Sequence, residues 1–94
     1  MDHDDGDHIR VWLVERTYSD DEQNLIILTY ATPDGKYYFR KERALTSFTD
    51  ARDTTVAVDA DPRNVGVVDD PELQEQYAAE ARRMADVHRP DDAI

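Results

Sequence analysis

The chain has 94 residues, a length that suits one small domain and leaves no room for a second. It carries 22 acidic against 11 basic residues, a formal net charge of -11, and no cysteine. The lack of cysteine excludes disulfides, thiolate nucleophiles, iron–sulfur clusters and cysteine-based zinc sites. An apolar fraction of 39% is enough for a folded core, so we expect a folded and strongly charged chain.

Both termini are polar, and we expect both to be disordered. Residues 1–7 include four Asp and no large apolar side chain after Met1, and residues 89–94 are similarly polar. Neither segment can bury enough apolar surface to offset the conformational entropy that ordering would cost. No apolar run reaches the roughly 18 residues that span a bilayer, and the acidic start is the opposite of a basic signal-peptide start. We therefore predict a soluble, cytoplasmic chain with no membrane partner and a single domain over residues 8–88.

Two apolar segments and a turn predict the centre of an antiparallel sheet. Residues 8–16 carry apolar side chains on both strand faces, which predicts a central strand. The β-branched run over residues 25–30 predicts a second strand. Residues 32–35, with the sequence Thr-Pro-Asp-Gly, then predict a type I turn with a bulge, in which Gly35 takes a positive φ.

This turn also predicts the register of the returning strand. A three-residue loop places Thr32 opposite Lys36. The same offset places Tyr30 opposite Tyr38 farther from the turn.

The rest of the chain predicts an irregular excursion, further strands and one helix. We expect the excursion over residues 44–53, a strand over 54–59, a turn over 61–64 and a short edge strand over 65–68.

The helix has clear end signals. Asp70 is suited to cap it, Pro71 suits its first position, and the sequence Arg89-Pro90 ends it. One apolar stripe recurs at helical spacing and consists of Leu73, Tyr77, Ala81, Met84 and either Val87 or His88. Together, these elements predict an α+β fold, with an antiparallel sheet of four or five strands and one C-terminal helix packed on one face.

The charge is unusual in its residue types. Asp dominates the acids and Lys is rare among the bases, a composition that resembles the small, acidic, uncharacterised proteins of extremely halophilic archaea. This resemblance is compositional and brings no functional motif. It implies that carboxylates hold water in concentrated salt, where a Debye length of about 3 Å at 1 M removes most self-repulsion. The second interpretation is an ordinary acidic mesophile protein.

Few residues suit catalysis or metal binding. The chain has two serines and three histidines, with no Gly-rich phosphate loop and no nucleophile elbow, so we expect no enzymatic activity and no cofactor. His3 can bind Cu(II) or Ni(II) together with nitrogens of the amino terminus, but any chain with His at this position acquires such an adventitious site. One acidic cluster contains Asp59, Asp61, Asp69 and Asp70, and we expect turn and cap roles there in place of a metal site.

The basic residues are concentrated in one predicted strand. Residues 36–43 hold four of the eleven bases and three aromatic residues, a combination found in sheets that bind single-stranded nucleic acid. Strand alternation sends Tyr38 and Arg40 to one face and Lys41 to the other, and aromatic strand residues more often belong to a core. The candidate binding residues are Trp12, Tyr38, Arg40 and Lys41.

We therefore predict a small non-catalytic interaction or regulatory module of a halophilic cytoplasm. Its partner is an unknown protein or a second copy in a homodimer, bound on the sheet face that the helix leaves open. The alternative is a single-stranded nucleic-acid or anionic-ligand binder that uses residues 36–43. Exposure of both Tyr38 and Arg40 favours the nucleic-acid binder, and burial of both beneath the helix excludes it.

Overall fold

The computed structural model describes residues 8–19, 25–44 and 55–92. They form an antiparallel sheet of five strands with one C-terminal helix packed on it, which confirms the predicted α+β fold. The elements are β1 (Ile9–Ser19), β2 (Leu25–Ala31), β3 (Tyr37–Ala44), β4 (Ala57–Ala60), β5 (Gly66–Val67) and the helix α1 (Pro71–Val87). The strand order is β4-β1-β2-β3-β5. In the described ranges, no helix is long and apolar enough to cross a membrane.

Several predictions lie outside the described residues. They are the disorder of residues 1–7, the metal-binding nitrogens at His3 and most of the excursion over residues 44–53.

The first strand occupies a central position, as predicted, and pairs with both β2 and β4. It is longer than the predicted strand over residues 8–16 and continues to Ser19. Its pairing with β2 shifts between Leu13 and Glu15, so the residue between them forms a bulge that changes the alternation beyond it.

The turn between β2 and β3 confirms the predicted glycine but corrects the predicted register. Gly35 has a φ of 74°, and its N–H donates to the Thr32 carbonyl at 2.8 Å. The Thr32 N–H donates to the Tyr37 carbonyl at 3.1 Å, so Thr32 pairs one residue later than expected. The Asp34 carboxylate explains the shift, because it accepts the Lys36 N–H at 3.0 Å and so holds Lys36 in the loop.

The corrected register moves each β3 residue by one position. Tyr30 lies opposite Phe39, and Tyr38 lies opposite Ala31. A shift of one residue exchanges the faces of a strand relative to its neighbour. The predicted pair of Tyr30 and Tyr38 is therefore wrong, and these side chains lie on opposite faces of the sheet.

Small and large residues alternate in one row across all five strands. The row consists of Ala57, Trp12, Ala31, Tyr38 and Gly66. The helix packs on the face that carries this row, with Ala81 and Met84 buried in the core. The small residues of the row lower the sheet surface between Trp12 and Tyr38, which allows a helix to approach closely.

The opposite face of the sheet is also buried at its centre. Leu28 and Val11 have no exposed surface, and Tyr30 is 1% exposed. The Tyr30 hydroxyl donates to the Thr55 carbonyl at 3.1 Å, which satisfies its polar end. The centre of this face is therefore part of the core. This differs from the open face for a partner that the sequence predicts.

The C-terminal segment after the helix, part of the tail over residues 89–94 for which the sequence predicts disorder, contacts the start of β4. The Val56 N–H donates to the Asp92 carbonyl at 2.9 Å, and the Ala57 N–H donates to the Pro90 carbonyl at 3.1 Å. These two bonds satisfy donors at the outer edge of β4.

Candidate binding surface beside the helix

The basic and aromatic residues of β3 are divided between the two faces of the sheet, as alternation predicts. Tyr38 and Arg40 lie on the helix side, and Lys41 lies on the other side opposite Leu28. The Arg40 guanidinium lies 5.9 Å from the centre of the Tyr38 ring, within the range of a cation–π contact. Arg40 is exposed and Tyr38 is half-buried, so the pair is neither fully open nor covered by the helix.

Trp12 lies in the core and not at the surface. It sits in the central strand next to Ala31 and Ala57 on the helix side, and only 8% of it is exposed. Trp12 therefore forms part of the sheet surface beneath the helix, where it is not accessible to a ligand.

A depression of about 240 Å³ separates the end of the sheet from the start of α1. It is lined by Tyr38 and Arg40 from β3, by Leu73 and Tyr77 from α1, and by the connecting residues Val67, Val68, Asp69 and Asp70. Asp70 caps the helix by accepting the Glu72 N–H at 3.0 Å, as the sequence predicts. Apolar walls with an arginine and two phenols give this depression an amphipathic character.

The Tyr77 phenol remains protonated throughout the neutral range. Burial raises its pKa, and the nearby Glu15 carboxylate raises it further, although the Arg40 charge acts in the opposite direction. Tyr77 therefore presents a neutral hydroxyl, which is able both to donate and to accept a hydrogen bond.

Two more depressions continue along the same side of the helix. One of about 300 Å³ shares Leu73 and Tyr77 with the first depression. Another of about 220 Å³ shares Val14, Glu15 and Glu80 with the second. Together they form one groove, which we call the helix-side groove and which extends from Tyr38 and Arg40 to Leu13 and Met84.

The charges change along the helix-side groove. Arg40 lies at its β3 end and Glu15 lies near its middle. Glu80 is paired with Arg83, with the Arg83 Nη2 to Glu80 Oε2 distance being 2.7 Å, so its charge is partly neutralised. Asp69 and Asp70 also line the β3 end and Arg16 lines the far end, so both signs of charge occur along the groove.

The acidic residues near β4 have structural partners. The Asp59 carboxylate accepts from the Arg10 Nε at 2.5 Å. Asp61 accepts from the Arg63 side chain at 2.9 Å and from its backbone N–H, and these bonds lower the pKa of Asp61 to about 2. Within the part of the chain that the structure describes, no group of three His, Cys, Asp or Glu residues could hold a metal ion.

The sequence predicts Tyr38 and Arg40, on the β3 side of the groove, as candidate binding residues. It does not predict the groove residues that α1 supplies. Leu73 and Tyr77 were predicted as parts of the apolar stripe that packs on the sheet. The spacing of Leu73 and Tyr77 shows that they share a helix face. It does not show that this face lies beside Tyr38. Gln76 and Glu15 had no sequence signal at all.

Comparison with known proteins gives one match. The model of a family of unknown function, DUF7967, matches residues 5–94. No curated protein and no solved structure matches the chain.

Proposed function

We propose that this chain, which belongs to the DUF7967 family of unknown function, is a small non-catalytic interaction module whose protein partner binds in the helix-side groove. The observation that carries the proposal is the continuity of the three depressions, which share Leu73, Tyr77, Val14, Glu15 and Glu80. A continuous amphipathic groove along a helix suits a segment of a partner protein better than a compact metabolite.

The polar groups of the groove favour recognition over catalysis. None of the described residues that line it is a histidine or a serine, so the groups most often used as general base or nucleophile do not line it. Arg40 and Tyr77 offer hydrogen-bond donors at fixed positions on a strand and a helix. Such groups orient a bound segment without reacting with it.

We further propose that the module works in concentrated salt, since the charge of -11 is best tolerated where it is screened. Apolar contacts strengthen under those conditions. A groove with walls formed by Leu73, Val14 and Met84 therefore suits binding in strong salt better than a purely ionic surface does.

The test is capture of partners from the native lysate in about 2 M KCl, at which ionic strength surface charges are largely screened. Gln76→Trp places an indole in the groove, whereas Ala79→Trp places the same side chain on an exposed part of α1 that lines none of the described depressions. We expect Gln76→Trp to lose proteins that both the wild type and Ala79→Trp retain. Equal capture by all three would contradict the groove as the site.

A single-stranded nucleic acid remains the second candidate, because Arg40 lies over the Tyr38 ring at the open end of the groove. A base stacked on this pair would be held largely by phosphate charges, and such binding weakens as salt rises. Titration of a labelled oligonucleotide in the same buffer, with sedimentation to detect a second copy of the chain, distinguishes the candidates. A monomer that binds the oligonucleotide tightly and captures no protein would reverse the order.

A further inference from the structure

The outer edge of β3 is only partly covered. The two-residue strand β5 pairs with Tyr37 and Tyr38. From Phe39 to Ala44, the only described strand that pairs with β3 is β2. The outer edge of β3 over residues 39–44, which we call the open edge, therefore has no partner among the described strands and lies next to the β3 end of the helix-side groove.

The pairing pattern shows which backbone groups point outward. The Tyr37 carbonyl accepts the Thr32 N–H, so Tyr37 is directed toward β2. The Lys36 carbonyl accepts the Val68 N–H at 2.9 Å, so Lys36 is directed toward the outer edge. Because these directions alternate along a strand, the N–H and C=O groups of Arg40 and Glu42 also point outward.

Among the described residues, the exposed cations beside this edge have no carboxylate partner. Arg40 and Lys41 form no ion pair with any residue in the described ranges, although acids outnumber bases by 22 to 11 in the chain. Their side chains project from opposite faces of the strand. Charged residues on an edge strand discourage pairing with most other strands, but these two charges match a strand that carries carboxylates.

We infer that the open edge of β3 accepts an extended acidic segment of the partner protein, paired along residues 40–44. Two adjacent carboxylates of the segment would meet Arg40 on the helix side and Lys41 on the other side, because neighbouring strand residues face opposite ways. Backbone hydrogen bonds hold the segment, and the two charge pairs select it. The inference rests on the proposed function as an interaction module, and it names the chemistry of the partner.

The experiment uses two fluorescein-labelled, capped peptides in about 2 M KCl, which screens the net charge of the protein. They are Val-Thr-Val-Glu-Glu-Val-Thr-Val and the same sequence with Lys-Lys at its centre. Fluorescence anisotropy should show about threefold tighter binding of the Glu-Glu peptide, because both cross-strand charge pairs change sign between the peptides and pairs in direct contact keep part of their strength in strong salt. Equal binding of the two peptides, or no binding at millimolar concentration, overturns the inference.

A charge reversal on the protein provides the matched control. The double variant R40E/K41E should reverse the preference to the Lys-Lys peptide. The double variant R82E/R89E changes the net charge equally at two exposed arginines that lie outside β3 and line none of the three depressions, and it should retain the preference for Glu-Glu. A loss of preference in both double variants would show that only net charge matters, and it would overturn the inference.

Backbone pairing is tested separately from charge. The Glu-Glu peptide is N-methylated at every second residue, in both possible phases, which removes the donors of one edge at a time. At least one phase should lose about tenfold or more in affinity, since strand addition uses one edge of the peptide. If both phases bind as well as the parent peptide, strand addition is wrong.

The variant Gln76→Trp separates this inference from the proposed groove. It should leave binding of the Glu-Glu peptide unchanged, since Gln76 lies on α1 and away from the open edge. If Gln76→Trp removes peptide binding while N-methylation has no effect, the peptide lies in the groove. That result overturns strand addition and leaves the proposed function standing.

Discussion

Two structural constraints favour glycine at position 35, a positive φ and a close contact with the helix backbone. Its φ of 74° lies in the left-handed region, which a residue with a side chain adopts only at a cost. A Cβ built there would also overlap the carbonyl oxygen of Gln74 and would lie 2.9 Å from the Ala78 backbone nitrogen. The turn predicts the first constraint. The second arises because the turn contacts the helix.

We expect Gly35→Ala to lower the free energy of unfolding by about 3 kcal/mol or more, since backbone strain and a clash with helix backbone add together. Gly66→Ala is the matched control, because the atoms nearest to its Cβ would belong to the Tyr38 side chain, at 2.6 Å, and its φ needs no glycine. Chemical denaturation of both variants in molar KCl measures the difference. Equal costs would mean that the ring is as hard to move as the helix.

The same turn contains a carboxylate with a specific role. The Thr32 hydroxyl donates to Asp34 at 2.6 Å, and this bond, followed by the Lys36 N–H, lowers the pKa of Asp34 below its ordinary value of 3.8. A carboxyl with a lowered pKa in the folded state stabilises the fold above pH 3.8. That contribution is lost as the pH falls through the lowered pKa.

Thr32→Val should raise the pKa of Asp34 toward its ordinary value, because the strongest of its hydrogen bonds is removed. NMR titration of the Asp34 carboxyl carbon in wild type and variant measures the shift directly. The carboxyl of Asp59, whose pKa is lowered by its hydrogen bond from Arg10, serves as the internal reference and should titrate identically in both proteins. An unchanged Asp34 titration would show that the hydroxyl does not govern it.

At the scale of elements, the chain after α1 behaves as part of the sheet. Residues 90–92 supply the carbonyls that satisfy Val56 and Ala57 at the outer edge of β4. Val56 is fully buried, so its N–H depends on that carbonyl for a hydrogen-bond partner in the fold. An unpaired buried donor costs about 1–3 kcal/mol.

Truncation after Arg89 should therefore lower the free energy of unfolding by about 2 kcal/mol or more, since it removes both acceptors. Truncation after Asp92 removes only residues 93–94 and should change stability by less than about 0.5 kcal/mol. Hydrogen exchange at Val56 and Ala57 gives a local measurement of the same effect. Retained protection at both amides in the shorter chain would contradict the assignment.

At the scale of the whole molecule, electrostatic self-repulsion opposes the fold. The net charge of -11 is spread over 94 residues. The ion pairs that offset it are on the surface, such as Arg10 with Asp59 and Arg83 with Glu80. Exposed pairs contribute little to stability. Screening by salt should therefore have a larger effect than loss of these pairs.

The melting temperature should rise substantially between dilute buffer and about 2 M KCl, since the Debye length falls to a few ångströms. A variant in which exposed acids are neutralised, D69N/E75Q/D86N/D91N, should show a smaller rise and a higher melting temperature in dilute buffer. Calorimetry of both proteins over a salt series provides the data. A flat response of the wild type would rule out the proposed adaptation to concentrated salt.

Features that depend on a few neighbouring residues were determined by the sequence alone. The positive φ of Gly35, the cap at Asp70, the end of α1 near Arg89-Pro90 and the short edge strand near Gly66 all follow from local chemistry. The apolar runs of β1 and β2 likewise predict strands, because burial of both faces is visible in the residue types themselves.

Features that depend on contacts between distant residues were decided by the tertiary structure. The groove brings Tyr38 and Arg40 together with Leu73 and Tyr77, which lie more than 30 positions later in the chain. The contacts of residues 90–92 depend on backbone donors more than 30 positions earlier in the chain. Local patterns state which residues are apolar or turn-forming, but the free energies that decide register, face and docking come from partners that the pattern does not identify.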